Sequence, residues 1–315
     1  MKKSFWWLGM LGLGVIFSGM AWGADYPTKA ITMICPYGAG GSIDTLSRGL
    51  APYLGEELGV PVKIENLVGA NGVLAFNKAF SAAPDGYNLL TALVPYMQTA
   101  EFLSKSSRYK AAEFIPVFAH ARDGVVLVGH PEVFHNFGEF AKAANSRTLS
   151  IGSTGIGSPT HLGALIVQKM LGAKMTYVPF DGGAQSVTTL AGKHIDGVTT
   201  YVTSALPMIR AGKVKPLLLL ATERNPLHPD IPVPKEFGYD IQPLYGMFGI
   251  FAPPNTPAEK VKILEAAFVR AVKHPKYQEW GKKMTADFIQ VNARDFKSEI
   301  EKQVKIVDAY KGLLK

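Results

Sequence analysis

A single cysteine, Cys35, in 315 residues excludes an intrachain disulfide. Stability must therefore come from an apolar core, which a chain of this length can build. A lone thiol at the end of an apolar run reads as a small buried hydrophobe. No Lys/Arg block interrupts the sequence, so the net charge of +8 is spread thinly and offers no nucleic-acid stripe. It still gives a modest positive field that would help collect small anions. No Gly-Lys-Ser/Thr follows a glycine loop, and neither glycine-rich turn carries the third glycine of a dinucleotide fingerprint. No Gly-x-Ser-x-Gly elbow occurs. There is no repeat of solenoid length and no low-complexity tract.

Long charge-free apolar runs are also missing, except at the start. Lys2 and Lys3 precede the apolar stretch Phe5 to Phe17, and Ala21-Trp22-Gly23 supplies small residues at a peptidase site. This predicts a signal peptide over residues 1–23, cleaved before Ala24, and export to the periplasm. Losing Lys2 and Lys3 takes the charge from +8 to +6. About 290 residues remain, which suits two domains of ordinary size.

Apolar strand patterns recur at Ile31–Cys35, Val62–Glu65, Asn88–Leu93, Val125–Val128, Thr148–Ile151, Met175–Val178, Leu217–Ala221 and Gly246–Ala252. Helical spacing fills most of the gaps, which predicts an α/β fold with mainly parallel sheets covered on both faces. The C-terminal part reads as purely helical. One helix starts near Pro257 with Val261, Leu264, Phe268 and Val272. A second carries Phe296, Ile300, Val304, Val307 and Leu314.

Two stretches share one logic. In "CPYGAGGSID", residues 35–44, a strand ends, glycines follow, and a helix begins with Leu46, Leu50, Tyr53, Leu54 and Leu58 on one face. In "RTLSIGSTGIGSPTHLGALI", residues 147–166, Ser158 is a good N-cap and Pro159 fits the first helical position. Free N–H groups and the helix dipole make such starts anion sites. In open α/β sheets, ligands bind beyond the carboxyl ends of the strands. One such turn in each half predicts two lobes facing across a cleft.

Six motifs in order resemble one family. They are "YPTKAITMICPYGAGGSIDTLSRGLAPYLGEELGVPVKIENLVGANG", "AAPDGYNLL", "STGIGSPTHLGA", "VPFDGGAQSVTTLAGKHIDG", "PMIRAGKVKPLLLLATERNP" and "YGMFGIFAPPNTP". Together they resemble the Bug family, the periplasmic solute receptors of tripartite tricarboxylate transporters. The resemblance implies a type II periplasmic binding protein with two α/β lobes joined by two crossover strands, around His120–Val126 and Leu244–Ile250. Lobe 1 would be residues 24–122 and 246–315, and lobe 2 residues 123–245. It implies a monomer that binds a carboxylated organic anion, a di- or tricarboxylate or an aromatic carboxylate, and hands it to membrane permease subunits. No cofactor, metal or nucleic acid is expected. The site residues it implies are Tyr37, Gly40, Gly41, Ser42, Asp44 and Tyr96 from lobe 1. From lobe 2 come Ser153, Thr154, Gly157, Ser158 and His161, then Phe180, Asp181 and Gly182, then Thr199, Thr200, Tyr201 and Tyr245.

The sequence departs from the family pattern at Cys35 and Tyr37, where Val and Phe are commoner, and at Tyr245, where Trp is frequent. "VPYM" at 94–97 replaces a more polar loop, and Met247-Phe248 makes the hinge bulky. These changes bear on ligand identity more than on fold. Tyr37, Tyr96, Tyr201 and Tyr245 would suit an aromatic carboxylate, and they also read as ordinary half-buried residues. Two other functions fit a similar sequence: a ligand sensor feeding a sensor kinase, and a periplasmic hydrolase. The second needs a nucleophile and base, and Ser153 or Ser158 with His161, or Ser42 with Asp44, are the candidates. His130 and His135 lack a carboxylate pair at metal-ligand spacing, and His120 with Asp123 reads as hinge structure.

Overall fold

The computed structural model describes residues 26–284, 287–310 and 312. The signal-peptide segment, Leu314 and the side chain of Val307 lie outside the described residues. The first run is β1 (Ile31–Cys35), α1 (Ser42–Leu58), β2 (Val62–Asn66), α2 (Val73–Phe80), β3 (Asn88–Val94) and α3 (Tyr96–Leu103). A long strand, β4 (Ile115–Gly129), leads into α4 (Phe137–Ser146), β5 (Leu149–Thr154), α5 (Pro159–Leu171) and β6 (Met175–Phe180). Then follow α6 (Gly183–Ala191), β7 (Gly197–Tyr201), α7 (Val202–Arg210) and β8 (Lys215–Leu219). The chain returns through β9 (Tyr245–Ala252) to α8 (Ala258–Ala271), α9 (Pro275–Lys283), β10 (Asp287–Asn292) and α10 (Ala293–Tyr310). Among the described residues, no helix is long and apolar enough to cross a membrane.

The strands form one continuous sheet in the order β2-β1-β3-β9-β4-β7-β5-β6, with β8 and β10 also pairing with β4. The outer pairs β1–β2, β1–β3, β5–β6 and β5–β7 are parallel. Antiparallel pairing is confined to β4 and β9 and their neighbours, where the two halves join. Along β4, Ile115 to Gly124 face β9, and Val125 to Gly129 face β7. The return passage is equally short. Leu244 donates its N–H to Leu220 O at 2.9 Å and accepts from Val125 N at 3.1 Å, and β9 starts at the next residue. The halves are therefore joined by two strands side by side, the α/β architecture of a type II periplasmic binding protein.

Both sheet faces are covered. Ile31 and Met33 of β1 point into a core shared with Leu50 and Leu54 of α1 and Leu264 and Phe268 of α8. Ile34 points to the opposite side, with Phe76 of α2 and Phe296 of α10. This is the alternation that a pleated strand imposes.

Two departures from the sequence reading concern elements with weak signals. The C-terminal part is not purely helical, because β10 pairs antiparallel with β4 from Arg122 to Phe118. Its six residues, DFIQVN, are half-exposed on an edge, so no clear apolar alternation marks them. β7, GVTTY, is wholly buried, with threonines in place of aliphatics. Its β-branched residues were the available signal.

Candidate functional site

After Cys35 the chain turns through Pro36 and reaches α1 at Ser42, with Gly41 as N-cap. Gly40 holds the left-handed conformation, φ 79°, and donates its N–H to Asp44 Oδ2 at 3.0 Å. Asp44 also accepts at Oδ1 from Arg48 Nε, 2.8 Å, and from Asn66 Nδ2, 2.9 Å. That carboxylate braces the turn. Gly41 is extended, φ −72°, so its backbone conformation does not require glycine. Burial pushes the Cys35 thiol up to about 12, which keeps it protonated and inert.

Ser42 reaches the other half of the molecule. Its N–H donates to Ser204 Oγ at 3.0 Å, and the two hydroxyls are 2.7 Å apart. Its Oγ lies 3.5 Å from Asp123 Oδ2, which also accepts the Thr203 N–H at 3.0 Å. Thr203 and Ser204 lie in the first turn of α7, so Asp123 caps that helix from β4. A Cβ placed on Gly40 would sit 3.7 Å from Ala184 Cβ, and one on Gly182 would sit 3.9 Å from Gly38 N. The first glycine turn thus lies against the starts of both α6 and α7. Neither of these helices, nor α1, is capped by the side chain of its own N-cap residue.

The second turn is self-braced. Ser158 Oγ accepts the His161 N–H at 3.0 Å and donates to Thr154 O at 2.8 Å. Thr154 and Thr160 hydroxyls are 2.6 Å apart. Ser153 Oγ donates to Thr154 O at 3.0 Å and lies 3.3 Å from Tyr177 Oη. His161 Nδ1 accepts the Gly157 N–H at 3.2 Å, and burial pushes the imidazole down to about 4. It packs on Tyr177 with ring centroids 4.3 Å apart. A neutral ring occupied in this way is a brace, and Ser153 and Ser158 donate their hydroxyls to Thr154 O instead. Ser158→Ala should cost about 1 kcal/mol in urea unfolding, the usual value of an N-cap, with α/β content unchanged. No loss would mean that Thr160 takes over the cap.

This turn also meets the other half, at different partners. Gly157, φ 83°, accepts at its carbonyl from Thr99 Oγ1, 3.0 Å away. A Cβ on Gly155 would be 2.4 Å from Asn71 Oδ1 and 2.9 Å from Asn71 Cβ. The second glycine turn therefore rests on α3 and on the Ala70–Gly72 turn, while the first rests on α6 and α7.

Among the remaining candidates, Tyr37 stacks on Tyr96 with centroids 5.9 Å apart, and Tyr96 Oη donates to Asn71 O at 2.8 Å. Thr199 Oγ1 donates to Thr160 O at 2.8 Å, tying β7 to α5. Tyr37 Oη, Thr200 Oγ1, Tyr201 Oη, Thr203 Oγ1 and Asp123 Oδ1 are buried without a hydrogen-bond partner in the protein. Phe180 is half-buried against the Val187 and Val198 core, and Asp181 is exposed. Tyr245 stands apart. It lies opposite Gly124 while Gly246 lies opposite Asp123, and successive residues of a strand point to opposite faces. Its hydroxyl accepts from Gln303 Nε2, and its ring borders an outer groove with Arg122, Pro243 and Asp287. Ser204, Thr99 and Asn71 were not singled out from sequence. For Ser204 a signal existed, since "TSALP" places hydroxyls at a helix start.

Residues 46–310 match the tripartite tricarboxylate transporter family receptor. The chain belongs to this family. The receptor is 31% identical over 258 residues to a UPF0065 protein of Bordetella pertussis, covering 81% of this chain and 80% of that one. Its fold is similar to that of the periplasmic binding protein BugD, with 27% identity and a TM-score of 0.86 over 91% of this chain and 98% of the other. MatC from Rhodopseudomonas palustris, solved with bound malate, is 27% identical with a TM-score of 0.82, over 92% and 100% of the two chains. The family is one of periplasmic solute-binding proteins, and its members are binders rather than enzymes.

Proposed function

We propose that this receptor captures a carboxylated organic anion in the periplasm and delivers it to the membrane subunits of a tripartite permease. Two lobes, residues 24–122 with 246–315 and residues 123–245, close on the ligand. The candidate residues other than Tyr245 form or brace the facing walls. The observation that carries this reading is the meeting of the α1 and α7 starts from both halves at Ser42 and Ser204, with the α6 start packed beside them at Gly183 and Ala184. Helix starts present N–H groups and positive dipole ends, which favour an anion. The buried, unpartnered hydroxyls of Tyr37, Thr200, Tyr201 and Thr203 add neutral donors beside them. Such a wall holds a carboxylate without a dedicated arginine, directly or through water. The likeness to a malate-bound relative supports the same ligand class.

A thermal-shift panel of dicarboxylates, citrate, acidic amino acids and aromatic acids tests this on ligand-stripped mature protein. A carboxylate at 100 times its Kd should add about 2.7 kcal/mol by mass action, a rise of several degrees in Tm. Neutral sugars and organic cations serve as controls, and a result in which only these raise Tm would sink the proposal.

A further inference from the structure

We propose that Asp123 reads a positively charged amino group on the ligand, so that this receptor takes an amino carboxylate and not a bare organic acid. The inference rests on the carboxylate-receptor reading and names the substrate class within it. Asp123 is 2% exposed and lies on β4 where the chain passes between the halves. It stands opposite Gly246 of β9, so the two share one face of the sheet. A Cβ on Gly246 would lie 2.6 Å from Tyr201 Oη, which places that hydroxyl on the same face. Oδ2 is committed to the Thr203 N–H and Ser42 Oγ. Oδ1 has no partner in the protein, and neither has Tyr201 Oη. A buried acceptor of this kind is costly unless something donates to it.

The neighbouring charges point to what the donor is. α1 brings Asp44, already engaged by Arg48 and Asn66. β7 brings the Tyr201 phenol, and β9 brings Gly246. On β4 itself, Arg122 pairs with Asp287 on the outer side, and His120 lies 3.5 Å from Tyr277 Oη. Among the described residues, no lysine, arginine or histidine hydrogen-bonds to the Asp123 carboxylate. A ligand carrying only carboxylates would add like charge beside a buried anion. An amino group supplies both the donor and the missing positive charge. Ser42 joins Asp123 to the first glycine turn, so one small ligand can place its amine at Oδ1 and its carboxylate at the helix starts.

Calorimetric titration with matched acids tests this: L-aspartate against succinate and malate, L-glutamate against glutarate, and L-phenylalanine against 3-phenylpropionate. The expected result is that the amino acid of at least one set binds about 10- to 100-fold more tightly than its amine-free counterparts, the range of a hydrogen bond to a charged group. Asp123→Asn should erase that preference, so that the amino acid falls to the affinity of its amine-free counterparts in the same variant. A purely structural cap would weaken all ligands alike. If amine-free or hydroxy acids match the amino acids on the wild-type protein, or if the preference survives in Asp123→Asn, the assignment is overturned and the carboxylate-receptor reading stands. If no carboxylate of any kind binds, both fall. Should Asp123→Asn fail to fold, the wild-type ratios alone decide.

Discussion

Gly155→Val should give a folded protein that binds its ligand at least about 100-fold more weakly and no longer compacts when saturated. Gly155 belongs to the turn after β5, yet the atoms its side chain would meet belong to Asn71 in the other half, at 2.4 to 2.9 Å. The nearest backbone-linked atom is Asn71 Cβ, so rotation of the amide alone cannot clear the space. Gly155 does not hold the left-handed conformation, so valine imposes no backbone strain there. The clash exists only where the halves meet. A ligand stabilises the closed form by its affinity difference between the closed and open states. A wedge that removes one wall forfeits that difference, and a hundredfold loss corresponds to about 2.7 kcal/mol. Solution scattering with and without ligand reads the compaction, and calorimetry reads the affinity. Asn71 has φ 55°, a conformation that glycine adopts freely, so Asn71→Gly should rescue part of the closure lost in a Gly155→Ala protein. Tight binding and full compaction in Gly155→Val would show that the halves do not clamp.

Much of this arrangement was legible because local chemistry fixes it. Gly40 must be left-handed for Asp44 to brace the turn, and Ser158 with Pro159 writes the start of α5 directly into the chain. The apolar spacing of Leu46, Leu50, Leu54 and Leu58 likewise gives α1 its buried face. What stayed hidden depends on register or on distance along the chain. Ser42 and Ser204 are 162 residues apart and meet only because two strands join the halves. Tyr201 and Tyr245 looked equivalent near the crossing. One residue of register puts Gly246 opposite Asp123 and turns Tyr245 to the other face. β10 escaped notice because an edge strand owes its existence to pairing with β4, not to a pattern of its own.

Stability measured without ligand should separate Asp123 from the buried histidines by the direction of its pH dependence. Burial pushes the Asp123 carboxyl up from 3.8 to about 7, against the hydrogen bonds from Thr203 and Ser42. A folded-state value above the unfolded one means that the native protein holds the proton more tightly. Its contribution is therefore fully present below about pH 3.8 and is lost as pH rises to about 7. The gap corresponds to roughly 4 kcal/mol. His120 and His161 act in the opposite direction. Burial lowers both imidazoles from 6.5 to about 4, so their contribution is present above pH 6.5 and is lost as pH falls towards 4. The wild-type curve mixes these slopes, whereas the difference between wild type and Asp123→Asn isolates one of them. Asparagine keeps an acceptor for the Thr203 N–H and carries no charge to bury. Urea unfolding should find Asp123→Asn more stable than wild type at pH 8 by up to roughly 4 kcal/mol, with the two converging near pH 4. A difference that stays flat from pH 4 to 8 would mean that the ionised carboxylate is solvated or already paired in solution. The uncompensated charge that calls for an amine on the ligand would then be absent.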